Sequence, residues 1–176
     1  MDYITFEIFS DIVLGYTLST LAFLLISKFN SRFSSFKFQY LDAANRILLG
    51  LSVIFYIFYW IYLLKNINSI EKDLSFNSYR INSAGWTTIA TLLIPSLFLY
   101  GKFRQNFFIM LLVMVSLLIF TNHEKAIIII TNFYRDYLPS SWSVEYGSES
   151  YLTIGLASII YFALVVLVIR LRKTNA

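Results

Sequence analysis

An all-α membrane protein, a single domain of residues 1–176 built as a bundle of five transmembrane helices, is the fold class this sequence predicts. Three observations predict it. The 176 residues are 58% hydrophobic and 19% aromatic with a mean hydropathy of +0.68, which is not the composition of a soluble domain of this size. Apolar runs recur at about the twenty-residue length that a helix needs to cross a hydrocarbon core of ~30 Å. The Lys, Arg, Asp and Glu residues fall mainly between those runs.

The first predicted helix covers about residues 6–26. Its start carries Asp2, Glu7 and Asp11, which is wrong for a signal peptide with its basic leader and cleavage site. Glu7 and Asp11 are one turn apart and share a face. They read as interfacial charges at a helix end, with a proton-relay pair as the alternative. A basic polar stretch follows (Lys28, Arg32, Lys37, Arg46), broken only by Asp42, and Leu41 to Asn45 reads as the start of the second helix, residues 46–64. Phe55, Tyr56, Phe58, Tyr59, Trp60 and Tyr62 near its far end read as an aromatic belt at the opposite interface. A quinone or haem face is the other reading of such a cluster.

Residues 65–85 read as a mixed-charge loop, and the third helix as residues 84–100 with a kink at Pro95. The turn Gly101-Lys102-Phe103-Arg104 leads to a fourth helix at 106–121, which has the option of continuing to 133. The fifth covers 151–169. Gly50 and Gly155 are the expected sites of close helix contact.

Loop charge sets the expected orientation. Lys28, Arg32, Lys37, Arg46, Lys102, Arg104, Arg170, Arg172 and Lys173 occupy alternate connections, with Asp42 as their sole acid. The remaining connections hold Lys65, Lys72, Arg80, Lys125 and Arg135 against Asp2, Glu7, Glu71, Asp73, Glu124, Asp136, Glu145 and Glu149. The positive-inside rule then puts the N-terminus outside and the C-terminus in the cytoplasm.

Several chemistries are excluded within the chain. Without cysteine there is no disulfide, thiolate metal site, iron–sulfur ligation or Cys nucleophile. His123 alone cannot make a bis-histidine haem site or a zinc site. The net charge of +4 follows membrane orientation and forms no basic stripe with a nucleic-acid motif.

The richest stretch is Asn122 to Trp142, NHEKAIIIITNFYRDYLPSSW. Its run Ile127–Ile130 is too short to span a bilayer alone. With Glu124 and Lys125 on one side and Arg135 and Asp136 on the other, it reads as a helix end at the outer surface, turned by Leu138-Pro139, with Tyr134, Tyr137 and Trp142 at headgroup depth. Ser140 and Ser141 reach His123 only by folding back, and a Ser after Pro is more simply a turn cap. Glu124 and Arg135, about three turns apart on a continuous helix, cannot pair with one another. Arg135 and Asp136 suit a salt-bridge network that holds the segment, or a proton exit. Asp11, Glu124, Arg135, Asp136 and Trp142 are therefore the candidate proton-path or docking residues; none is assigned to catalysis, cofactor or metal.

The string Arg135-Asp136-Tyr137-Leu138-Pro139-Ser140-Ser141-Trp142, preceded by Glu124, the isoleucines and Thr131, resembles the polysulfide-reductase/NrfD family of membrane subunits, and within it the C subunit of alternative complex III. Trp86, Ile94-Pro95, Leu97-Phe98 and Lys102 to Asn106 resemble that family in order and spacing. So do Asp42-Ala43-Ala44, Leu48-Leu49-Gly50, Thr153-Ile154-Gly155 and Ile169-Arg170. The likeness covers the whole chain but only the C-terminal half of a family member. It departs at Lys125, where the family pattern has arginine, and at Ser143 to Ser150, which replace a Gly, aromatic and Pro-Thr pattern.

That resemblance implies an accessory subunit, one part of a split gene or a fragment, belonging to a quinol-oxidising respiratory electron-transfer complex. It implies no enzyme activity for the chain alone and no cofactor within it. Quinone, haem and iron–sulfur clusters are expected only in partners: a membrane subunit supplying the N-terminal helix bundle, and outer-face iron–sulfur and c-type haem subunits. The alternatives from the residues themselves are a small oligomeric transporter or channel, and a membrane anchor or assembly factor.

Overall fold

The computed structural model describes residues 3–70, 89–121 and 148–174, and no strand occurs among them. The elements are α1 (Tyr3–Phe29), α2 (Ser31–Ser34), α3 (Lys37–Ile70), α4 (residues 89–96, tightening to a 3-10 turn at Leu97–Leu99), α5 (Gly101–Arg104), α6 (Phe107–Thr121) and α7 (Ser148–Thr174). Three of these helices are long and apolar enough to cross a membrane, over Ile8–Phe29, Lys37–Ile61 and Tyr151–Arg172. Two further apolar helices are described over Ile89–Leu99 and Phe107–Thr121.

α3 begins at Lys37, not at Arg46. The basic stretch before it is not a loop. Asn30 ends α1 in an extended conformation, accepts the Arg32 N–H on its side chain at 3.0 Å, and so starts the single turn α2. The Tyr40 N–H then donates to the Phe36 carbonyl at 2.9 Å, which opens α3. Tyr40, Leu41, Ala44 and Leu48 are buried on one face, an i, i+1, i+4, i+8 pattern that the surrounding charges mask in the sequence. α3 also runs on through Ile70, into the stretch expected to be a loop. Asn106 caps α6, its side-chain oxygen accepting the Phe108 N–H at 2.9 Å.

α1 is the central element and touches α3, α6 and α7. It runs antiparallel to α3: Phe9, early in α1, stacks on Phe55 with ring centroids 4.2 Å apart, while Phe23, late in α1, stacks on Tyr40 at 3.8 Å. It runs in the same direction as α7, with Tyr16 edge-on to Tyr161 at 5.5 Å. Small polar residues line α1 where it is buried. The Thr17, Ser19 and Ser27 hydroxyls donate back to the carbonyls of Val13, Tyr16 and Leu24, which hides them within the helix and lets neighbours come close.

Among the described glycines, Gly15 is the one set against the backbone of another helix. A Cβ added there would stand 2.8 Å from the Ala157 carbonyl carbon and 2.9 Å from its oxygen. At Gly50 and Gly155, the expected contact sites, an added Cβ meets nothing within 4 Å. Pro95 stands near the end of α4, and the helix tightens two residues later at Leu97. The expected aromatic belt is divided. Phe55 and Tyr59 are buried, whereas Phe58 and Trp60 face outward, Trp60 lying edge-on to Tyr56. The outer surface is apolar along its length, with Leu25, Phe58, Leu93, Phe108 and Ile159 all exposed. So large an apolar surface suits lipid rather than water.

Candidate functional site

A polar knot built on Asp42 and Asn45, one turn apart on α3, takes in α5, the ends of α4 and α7, and residues midway along α1 and α7. Asp42 is 8% exposed and accepts from three guanidinium groups. Arg104 Nε on α5 donates to its Oδ1 at 2.7 Å; Arg172 Nη1 on α7 and Arg46 Nε on α3 reach its Oδ2 at 2.8 Å and 3.1 Å. The three cations differ in burial. The Arg104 side chain is 16% exposed, those of Arg46 and Arg172 47% and 42%. Arg46 is the i+4 partner of Asp42 and needs no tertiary fold to find it. The other two come from about sixty and 130 positions away, so they record the fold.

Arg104 also serves the end of α4. Its Nη1 donates to the Phe98 carbonyl at 2.9 Å and the Leu99 carbonyl at 3.2 Å, acceptors that the ending helix cannot pair itself. Its own carbonyl accepts from Asn45 Nδ2 at 2.7 Å, and Asn45 Oδ1 accepts the Tyr16 hydroxyl at 2.7 Å. The Tyr161 hydroxyl donates to the Ala44 carbonyl at 2.7 Å. One turn of α3 thereby binds α1, α5 and α7 directly, and α4 through Arg104. Asn45 is fully buried with both ends of its amide used, the state in which a buried polar group stabilises rather than costs.

Chemically this is a clamp. The carboxylate is held by three cations and the amide by two partners, so neither is offered to a substrate. Trp60 lies 18 residues further along α3, about 27 Å away at the helical rise.

Among the residues singled out in the sequence, Asp11 is partly buried on α1, 17 residues or about 26 Å along the helix from Lys28. It is five residues, about 8 Å along α1, from Tyr16, the knot residue of that helix. Glu124, Arg135, Asp136 and Trp142, and the whole 122–142 stretch, lie outside the described residues. The knot itself was not singled out, although one signal pointed to it: Asp42 is the sole acid among the nine basic residues of its side. Comparison with protein-family models, with curated proteins and with solved structures finds no match for this chain.

Proposed function

We propose that this chain is a non-catalytic membrane subunit of five spans, with the N-terminus outside and the C-terminus in the cytoplasm, serving a quinol-linked respiratory electron-transfer complex of a bacterial inner membrane. One observation carries the topology. The C-terminal ends of α1, α4 and α7 and the N-terminal ends of α3 and α6 lie together, and with them the basic residues Lys28, Lys37, Arg46, Lys102, Arg104, Arg170 and Arg172. A face so rich in Lys and Arg is the cytoplasmic one by the positive-inside rule. A self-satisfied clamp at that face suits a scaffold subunit. The electron-transfer role rests on the family resemblance of the 124–142 segment, which in this reading docks outer-face iron–sulfur and c-type haem subunits, while another membrane subunit supplies the N-terminal helix bundle of the family and the quinol site. Asp11, Glu124, Arg135 and Asp136 are the candidate proton path and Trp142 part of the docking surface.

Two measurements test the reading. Because the chain has no cysteine, single substitutions report sidedness cleanly: Lys102→Cys and Lys173→Cys should react with an impermeant maleimide only from the cytoplasmic side, and Asp2→Cys only from outside. Mild-detergent purification with mass spectrometry and an optical spectrum tests the complex. Co-purifying haem and iron–sulfur proteins are the expected result, and a colourless preparation without redox partners would retire the electron-transfer role.

A further inference from the structure

Beside the knot, α1 and the start of α6 enclose a cavity of about 420 Å³. Leu21, Leu24, Leu25 and Lys28 line it from one face of α1, at the i, i+3, i+4, i+7 spacing. Lys37 and Phe107 line it from the other side, with the Lys37 ammonium 5.9 Å from the centroid of the Phe107 ring. The three leucines precede Lys28 by three to seven residues, which places them about 4–10 Å deeper along the helix. The cavity is thus apolar toward the middle of the bundle and cationic toward its basic end. Ser27 and Ser34 also line it, and none of its lining residues is acidic. Asp42, the acid of this face, is already shared by three arginines, and neither Lys28 nor Lys37 has an ion pair among the described residues.

From this we infer that the cavity is a binding site for an anionic phospholipid: Lys28 and Lys37 take the headgroup phosphate, and an acyl chain lies along Leu21, Leu24 and Leu25. The charge and polarity of the lining match that one molecule in register. A free anion would leave the leucine wall uncovered, and a zwitterionic lipid would bring its own ammonium beside the two lysines, which an anionic one does not. Phe107 holds the Lys37 ammonium at the mouth by a cation–π contact, so the site is partly arranged before the lipid arrives. The inference rests on the chain spanning a membrane, but not on the electron-transfer role.

The test uses the full chain in dodecylmaltoside micelles, after carbonate washing of membranes has shown it to be integral; release by carbonate would overturn the membrane reading itself. Native mass spectrometry then follows retention of added dioleoyl-phosphatidylglycerol against dioleoyl-phosphatidylcholine. One phosphatidylglycerol should be retained in clear preference. The Lys28→Gln/Lys37→Gln variant should lower its apparent affinity by roughly 30-fold, the product of two surface cations acting on an anionic headgroup. Lys28→Arg/Lys37→Arg should keep it, and so should Lys102→Gln, which removes an exposed cation outside the cavity. Equal retention of the two lipids by the wild type overturns the site, whatever the variants do. So does an equal loss in Lys102→Gln, which would mean general surface charge, or displacement of the lipid by millimolar inorganic phosphate.

Discussion

Replacing Asp42 by Asn removes one negative charge and almost no volume, and it is the sharpest test of the knot. In the native arrangement the carboxylate is shared by Arg104, Arg172 and Arg46. In the variant three guanidinium groups face a neutral amide. Arg46 and Arg172 are nearly half exposed and can swing into water, so their loss counts as that of surface pairs, about 0–1 kcal/mol each. Arg104 cannot follow them. It is 16% exposed and held by two backbone carbonyls. Removing the partner of a buried charge costs about 3–5 kcal/mol, and with Arg104 not fully enclosed the lower end applies, about 3 kcal/mol. Against an unfolding free energy of typically about 5–15 kcal/mol that is a large fraction. The assay is helix loss by circular dichroism as dodecylmaltoside micelles are titrated with dodecyl sulfate. The expected order of destabilisation is Asp42→Asn, then Arg104→Gln at about 2 kcal/mol from its lost charged hydrogen bonds, then Arg46→Gln and Arg172→Gln below about 1 kcal/mol. If Asp42→Asn unfolds with Arg46→Gln, the three-cation clamp does not hold the helix ends, and the argument fails.

Three further predictions concern the packing around that clamp. Gly15→Ala should destabilise by about 1–3 kcal/mol, because its Cβ meets the Ala157 backbone, while Gly50→Ala and Gly155→Ala, with open space, should be neutral or stabilising in the same titration. Tyr16→Phe should cost about 1 kcal/mol and Asn45→Ala more, since it strands both the Tyr16 hydroxyl and the Arg104 carbonyl; a double-mutant cycle should show the two effects to be non-additive. Phe9→Ala and Phe55→Ala, the stacked pair near the far end, should each cost about 3–5 kcal/mol and also couple to one another, whereas Phe58→Ala on the outer face should be nearly silent in micelles.

The long helices were legible because membrane helices announce themselves by length and apolarity alone. Their ends were less so. Lys37 to Tyr40 reads as a polar stretch, and Leu41 to Asn45 only as a helix entry, because hydropathy averages Lys37, Gln39, Asp42 and Asn45 with Tyr40, Leu41, Ala43 and Ala44. In the fold Gln39 stays exposed, while Asp42 and Asn45 turn inward with the apolar residues and find partners in other helices, so their cost disappears. A local window cannot represent a partner sixty or more residues away. The same limit explains the glycines. Gly15, Gly50 and Gly155 are alike in a sequence, and only the positions of neighbouring helices make Gly15 the contact. In the aromatic cluster the residues themselves were found, but not their division into the buried Phe55 and Tyr59 and the outward Phe58 and Trp60, which depends on which face α1 covers.

Charge does two separate jobs at the knot, and they draw on different residues. Orientation in a membrane needs only an excess of Lys and Arg near the helix ends, and any of the nine basic residues serves. Holding the helix ends together needs planar, bidentate-capable cations aimed at one acid, and the three residues on Asp42 are all arginines. The lysines of this face stand apart from it: Lys28 and Lys37 border the lipid-facing cavity, and Lys102 is exposed. Exchanging the types should therefore separate the functions. Arg104→Lys keeps the charge that orients the chain, so maleimide labelling at Lys173→Cys should be unchanged. A single ammonium cannot reach Asp42 and the two carbonyls of α4 in one geometry, so the dodecyl sulfate midpoint should fall almost as far as in Arg104→Gln. If Arg104→Lys is as stable as the wild type, net charge alone accounts for the arginines and the clamp has no geometric requirement.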